Sequence, residues 1–237
     1  MVAQAAATSA VMLDGRFVLG VGTGEALNEH IVGHPWPHTD QRLEMLEEAV
    51  QVMRALWGGE VVSHHGRHYT VDTARLYTVP DTPPPVYVSA LGPKALEVAA
   101  RIGDGFITTQ PDAESVAQFR QRKGDPRAPA MAGFKVAYAA TAEEGLDHAH
   151  RLWANSGLPG ELSQVLPSPQ HFEQAASLVT REATAGSVVC GNDADEHRKA
   201  FQPFERAGFD EVYVANMGPR WREMIDFYGS EVLPALS

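Results

Sequence analysis

Five short apolar runs punctuate the chain, at residues 17–21, 86–89, 105–109, 134–139 and 211–215. They are dominated by Val, Ile, Phe and Tyr and show little alternation. Continuous apolar character predicts strands of a parallel sheet covered on both faces. Between them lie helical patterns. Leu43, Leu46, Val50, Met53 and Trp57 recur at steps of three and four, which is one helix face. Thr39 or Asp40 would cap that helix and Gly58-Gly59 would end it. Further helices are predicted at 93–102, 115–122, 141–153, 195–207 and 219–228. Thr141 is the expected N-cap of the 141–153 helix, with Glu143 and Glu144 favourable in its first turn.

The order is a helix, then strand and helix repeated five times, which is a βα repeat. Two excursions interrupt it. Residues 61–77 read as a β-hairpin turning at His65-Gly66, and 155–181 as a loop carrying one or two short helices. Pro83-Pro84-Pro85 stiffens the connector at 78–85. No stretch is rich enough in Gly and Ser to separate domains, so residues 1–237 are expected to form one domain. Two architectures suit the repeat: an open doubly wound sheet or a (β/α)8 barrel. A barrel typically takes about 250 residues in eight units. Five units leave about three unaccounted for.

Composition narrows the class. The 237 residues are 44% hydrophobic and 21% charged, ordinary for a globular protein. A net charge of −11 argues against a general nucleic-acid or acidic-membrane surface. The single cysteine, Cys190, excludes an intrachain disulfide and reads as a small buried hydrophobe. No apolar run approaches the roughly 20 residues needed to span a bilayer. Residues 1–13 lack the basic start of a signal peptide. A cytoplasmic location is the expectation.

Candidate chemistry concentrates in RFVLGVGTGEALNE, residues 16–29. A strand ends in Gly20, Gly22 and Gly24, and Glu25 and Asn28 follow at once. Such a turn lets a ligand approach backbone and two polar side chains together. As a dinucleotide fingerprint it is incomplete, because a third correctly spaced glycine is missing and the acid follows directly. Packing alone also produces glycine-rich strand ends. Ser89-Ala90-Leu91-Gly92-Pro93 closes the next strand with small residues and a proline at a first helical position. That turn suits a phosphate and equally suits a plain structural connection. Thr108 and Thr109 close the third strand.

Other residues carry less. His30, His34 and His38 recur every fourth position, but Gly33, Pro35 and Pro37 forbid a continuous helix. His64, His65 and His68 fall in the hairpin, and His148 and His150 cannot share a helix face. All read as surface or loop histidines, and no metal is expected. Trp36 sits in a Pro-flanked loop. Lys135 lies near the start of an apolar strand, away from the chemistry of a barrel. An unpaired buried lysine is costly, so it needs a partner or an exposed position.

Four segments together resemble the coenzyme F420-dependent glucose-6-phosphate dehydrogenase family. They are GVGTGEALNEH, DQRLEMLEEAVQVMRALW, GRHYTVDTARLYTVP and VYVSALGPKALEVAARIGDGFITT. FKVAYAA, VVCGND, AGFDEVYVANMG and EVLPAL resemble it more loosely. The resemblance spans essentially the whole chain. It implies a luciferase-like (β/α)8 TIM barrel of which this chain carries strands 4 to 8 only. It also implies the deazaflavin F420 as cofactor and a small-molecule substrate. By resemblance, Glu25 is the catalytic residue, a proton donor near hydride transfer. Thr23, Gly24, Glu25 and Asn28 contact the cofactor. Ser89, Ala90, Leu91 and Gly92 form the turn around its phosphate-bearing arm. Leu91 replaces a glycine of the family.

Substrate recognition departs from the pattern. Thr109 matches a substrate-binding threonine. Asp112 replaces a lysine, and Ser163 and Ser187 fall near a second lysine and an arginine. Losing these cations removes binding energy for a phosphate dianion, so a substrate other than glucose 6-phosphate is expected. Residues 1–13 resemble the family's third helix, so the three βα units with the catalytic histidine are expected to lie outside this chain. The edges at 17–21 and 211–215 would then be unpaired, and the isolated chain could be inactive. Homodimers are common in the family. Two other readings compete: an FMN-dependent luciferase-like monooxygenase, and a non-catalytic incomplete barrel acting as an interaction protein.

Overall fold

The computed structural model describes residues 1–236. In chain order the elements begin with α1 (Val2–Met12), β1 (Leu19–Val21), α2 (Ala26–Glu29) and α3 (Thr39–Trp57). The hairpin strands β2 (Val62–His65) and β3 (Thr70–Ala74) follow. Next come β4 (Val86–Ser89), α4 (Pro93–Ile102), β5 (Gly105–Thr108), α5 (Ala113–Lys123) and β6 (Ala130–Ala137). The remainder is α6 (Ala142–Trp153), α7 (Leu162–Val165), α8 (Pro169–Ala176), α9 (Arg181–Ala185), β7 (Val189–Cys190), α10 (Ala194–Ala207), β8 (Glu211–Asn216) and α11 (Trp221–Phe227).

Contacts divide the chain into two compact units. The first comprises Met1–Thr23, Pro37–Thr108 and Glu114–Met131. The second comprises Gly24–Trp36, Thr109–Ala113 and the residues from Ala132 on.

In the first unit β1, β4 and β5 pair in parallel, with Val21 opposite Val88 and Ser89 opposite Ile107. Val86, Val88 and Phe106 are fully buried, as continuous apolar strands require. The predicted face of α3 is buried: Leu43, Leu46, Val50, Met53 and Trp57. Against it packs α1 through Ala3, Ala6, Ala7 and Ala10, whose small side chains let the two backbones approach. Trp57 donates its indole Nε1–H to the carbonyl of Ala3 at 2.8 Å. Arg101 of α4 grips Glu47 of α3 with two hydrogen bonds of 2.7 Å. The cap of α3 differs from expectation: His38 is the N-cap residue, and no side chain caps the helix.

The hairpin is pinned to α3 by two carboxylates, Glu48 and Glu44. Glu48 accepts from His64 Nε2 at 3.0 Å, from the Tyr69 amide at 2.8 Å and from the His68 amide at 3.0 Å. Burial works against the charge, but the bonds from His64, Tyr69 and His68 outweigh it and hold the carboxyl at about 2. Glu44 takes Arg67 at 2.6 Å and His68 at 3.4 Å. His64 and His68 are therefore docking residues of the hairpin rather than plain surface histidines.

In the second unit β6 pairs in parallel with β7, and β8 also pairs with β6. Phe134 and Val136 of β6, with Tyr138 just beyond it, pack with Met224, Phe227, Tyr228 and Val232. Lys135 is the sixth of eight residues in β6, so the strand begins earlier than predicted and the lysine is not at its start. The 155–181 region holds α7 and α8, with α9 beginning at its end. No helix of the described residues is long and apolar enough to cross a membrane.

Candidate functional site

In the first unit, Gly20 and Gly22 place the end of β1 against its neighbours. A β carbon on Gly20 would lie 3.4 Å from Ile107 Cδ1, and one on Gly22 would lie 3.3 Å from Ser89 Cβ. Thr23, half-buried, follows directly. Thr23 and Ser89 therefore sit at the carboxyl ends of two paired parallel strands, the edge where α/β sites form.

The turn after β4 continues this edge. Ala90 is buried and donates its amide to Ile107 O at 2.9 Å, which fixes the start of the turn. Leu91 is 57% exposed. Gly92 is the N-cap of α4, Pro93 takes the first helical position, and no side chain caps the helix. Space in front of it is open, since a β carbon on Gly92 would meet nothing within 4 Å. An uncapped helix start with open space before it can receive an anion on its backbone amides. Lys94 is not aimed there, because its ammonium is bound to Asp40 at 2.6 Å.

In the second unit, Gly24 has φ +76, a left-handed conformation that favours glycine. Its missing side chain also makes room for Glu29. A β carbon on Gly24 would lie 2.8 Å from Glu29 Oε1. Glu25 is the extended N-cap residue of α2 and is exposed. Asn28 Nδ2 donates to Glu25 Oε2 at 3.5 Å, one helical turn apart. The helix is a single turn, and a 3-10 turn at His30–Val32 extends it. α7 packs on α2, so the excursion after α6 supports the segment carrying Glu25.

The structure thus gathers Thr23 with Ser89, Ala90, Leu91 and Gly92 in one unit, and Gly24 and Glu25 with Asn28 in the other. Thr109 lies just past β5 and is exposed, whereas Thr108 is the buried strand residue. Ser163 belongs to α7, and Ser187 donates its hydroxyl to Thr184 O at 3.0 Å. Glu29 was not singled out from the sequence. Its signal is the i,i+4 spacing from Glu25, which puts both on one side of a helical turn. Among the described residues no group of three or more His, Cys, Asp and Glu side chains is placed to hold a metal ion.

Residues 1–211 match the family described as luciferase-like monooxygenase. The F420-dependent glucose-6-phosphate dehydrogenase of Microbacterium testaceum (strain StLB037) is 33% identical over 247 residues, covering 100% of this chain and 73% of the relative. That of Kribbella flavida (strain DSM 17836) is 34% identical over 248 residues, covering 100% and 74%. Among solved structures, an F420-dependent secondary alcohol dehydrogenase in complex with an F420-acetone adduct superposes with a TM-score of 0.88. The identity there is 29%, over 100% of this chain and 74% of the other. The F420-dependent tetrahydromethanopterin reductase of Methanopyrus kandleri has a TM-score of 0.76 at 17% identity, over 100% and 79%, a likeness of fold alone.

Proposed function

The chain belongs to the luciferase-like monooxygenase family, and on that footing we propose that it is a coenzyme F420-dependent oxidoreductase acting on a small, unphosphorylated substrate. The observation that carries this reading is the match of the entire chain, at 33–34% identity, to F420-dependent dehydrogenases. The open, uncapped start of α4 fits a phosphate-bearing cofactor arm.

Each residue then has a task. Backbone amides at the start of α4, with the Ser89 hydroxyl, hold the phosphate, and Gly92 keeps the approach clear. The Thr23 hydroxyl and the Asn28 amide orient the ring system. The Glu25 carboxyl, steadied by Asn28, holds the proton exchanged with the substrate oxygen. When bound, F420 accepts or supplies a hydride. Thr109 offers a hydroxyl to the substrate. Asp112, Ser163 and Ser187, where the resemblance expects cations, favour an uncharged alcohol or carbonyl compound over a sugar phosphate. By analogy with the family, the protein works in the cytoplasm as a homodimer.

The discriminating experiment is a titration of purified protein with F420, following its fluorescence, beside a parallel titration with FMN. Saturable F420 binding with weaker FMN binding is expected. Preferential FMN binding would move the assignment to a flavin monooxygenase.

A further inference from the structure

Two elements of the second unit reverse the usual placing of polar and apolar side chains. α7 is a single turn with Leu162 and Val165 three residues apart on one side, and both are exposed. Its polar residues, Ser163 and Gln164, are half-buried. The 3-10 turn at His30–Val32 repeats the arrangement. His30 is half-buried and donates from Nδ1 to the Ala26 carbonyl at 2.8 Å. Ile31, in contrast, is 72% exposed and Val32 68%.

Both elements pack on α2, whose N-cap residue is the exposed Glu25. Single exposed apolar residues are ordinary, but four of them on two elements packed against one short helix mark a binding surface. The charge of these segments narrows its occupant. Residues 24–36 and 158–166 carry three carboxylates, Glu25, Glu29 and Glu161, and no Lys or Arg. A phosphate or carboxylate finds no cation here, whereas an uncharged hydrocarbon finds Leu, Val and Ile side chains.

We propose that this surface holds the hydrocarbon part of the substrate, which is an alcohol or ketone with an alkyl chain, and that Leu162 and Val165 set the preference for its length. The proposal rests on the reading of Glu25 as the residue that meets the substrate oxygen. It adds to that reading the chemistry of the rest of the molecule. One helical turn spans about 5.4 Å, the reach of about four methylene groups, so the favoured chain is of medium length.

The test is NMR of the full chain with 13C-labelled Leu, Val and Ile methyl groups, titrated with the series 2-butanone to 2-heptanone. Methyl signals of Leu162, Val165, Ile31 and Val32 should shift, and those of Leu233 and Leu236, exposed leucines of the C-terminal segment, should not. Affinity should rise about twofold per added methylene, half the effect of complete burial. The double variant Leu162→Ser, Val165→Ser should keep the thermal midpoint, because both side chains are exposed, and should lose the dependence on chain length. Equal shifts at Leu233 and Leu236, or affinity independent of chain length, would overturn the proposal. Shifts of the same methyl signals with protein concentration in the absence of ketone would also overturn it, by assigning the surface to a second copy of this chain. The F420 fluorescence titration is a separate readout. A chain that binds the ketones in this pattern but not F420 supports the hydrocarbon site and overturns the cofactor assignment. One that binds F420 without the pattern overturns the hydrocarbon site alone.

Discussion

His197 and Tyr228 are locked ring to ring in the second unit: His197 Nδ1 stands 2.7 Å from the Tyr228 hydroxyl, and the two rings meet edge-on. His197 is wholly buried, and its Nε2 reaches Gly191 O at 3.1 Å. A carbonyl can only accept, so Nε2 carries the proton, and Nδ1 accepts from the tyrosine. Both ring nitrogens are satisfied only while the imidazole is neutral. Burial lowers its proton affinity, although the Gly191 bond and Asp193 act the other way.

A pH dependence follows. The unfolded chain takes up a proton at His197 below about pH 6.5, whereas the folded one resists it. This contribution to stability is present above that value and is lost as pH falls toward the lowered folded value. Urea midpoints measured across this window should decline in the wild type and decline less in His197→Gln. Tyr228→Phe strands the buried Nδ1 and should cost about 1–3 kcal/mol at neutral pH.

The Glu48 staple acts at lower pH. Its carboxyl sits at about 2, below the ordinary 4.5, so its support is complete above 4.5 and fades as pH falls toward 2. Glu48→Gln should flatten that limb of the stability curve. Limited proteolysis should also cut the variant preferentially within the hairpin at residues 61–77.

Gly92→Ala separates binding from folding. The new methyl group meets nothing within 4 Å, so the thermal midpoint should stay where it is. It would stand before the α4 amides, and F420 affinity should fall about tenfold, or about 1.4 kcal/mol. Equal affinity in the fluorescence titration would remove this turn from the cofactor site.

Glu25→Gln keeps the shape of the side chain and one acceptor oxygen for Asn28 but removes the transferable proton. Turnover should drop by about two to four orders of magnitude, with F420 binding retained. A variant of undiminished turnover would place the acid elsewhere.

Where the sequence was explicit, periodicity did the work. The α3 face and the strands β4 and β5 were legible because buried apolar residues repeat at the right intervals. β6 begins four residues before the predicted run because it opens on Ala130, Met131, Ala132 and Gly133, which lack the branched and aromatic character of strands. β7, with only two residues, is too short to show a strand pattern in the sequence. α10 runs through Pro203 because apolar packing of Phe204 and Ala207 outweighs the lost backbone bond. At the site, Gly24, Glu25 and Asn28 were legible as a motif. The roles of Glu29 and Glu48 were not, since both depend on side chains folding back onto a backbone that a one-dimensional pattern does not display.

The Trp57–Ala3 bond has a consequence for the order of events during synthesis. The acceptor leaves the ribosome 54 residues before its donor. At about 5–20 residues per second, α1 waits roughly 3–11 seconds for the helix it packs against. With eleven residues, α1 is short enough to be only marginally helical by itself in that interval. Its alanine stripe is then committed to the native partner only when Trp57 emerges, so the docking of α1 is a late and vectorial step.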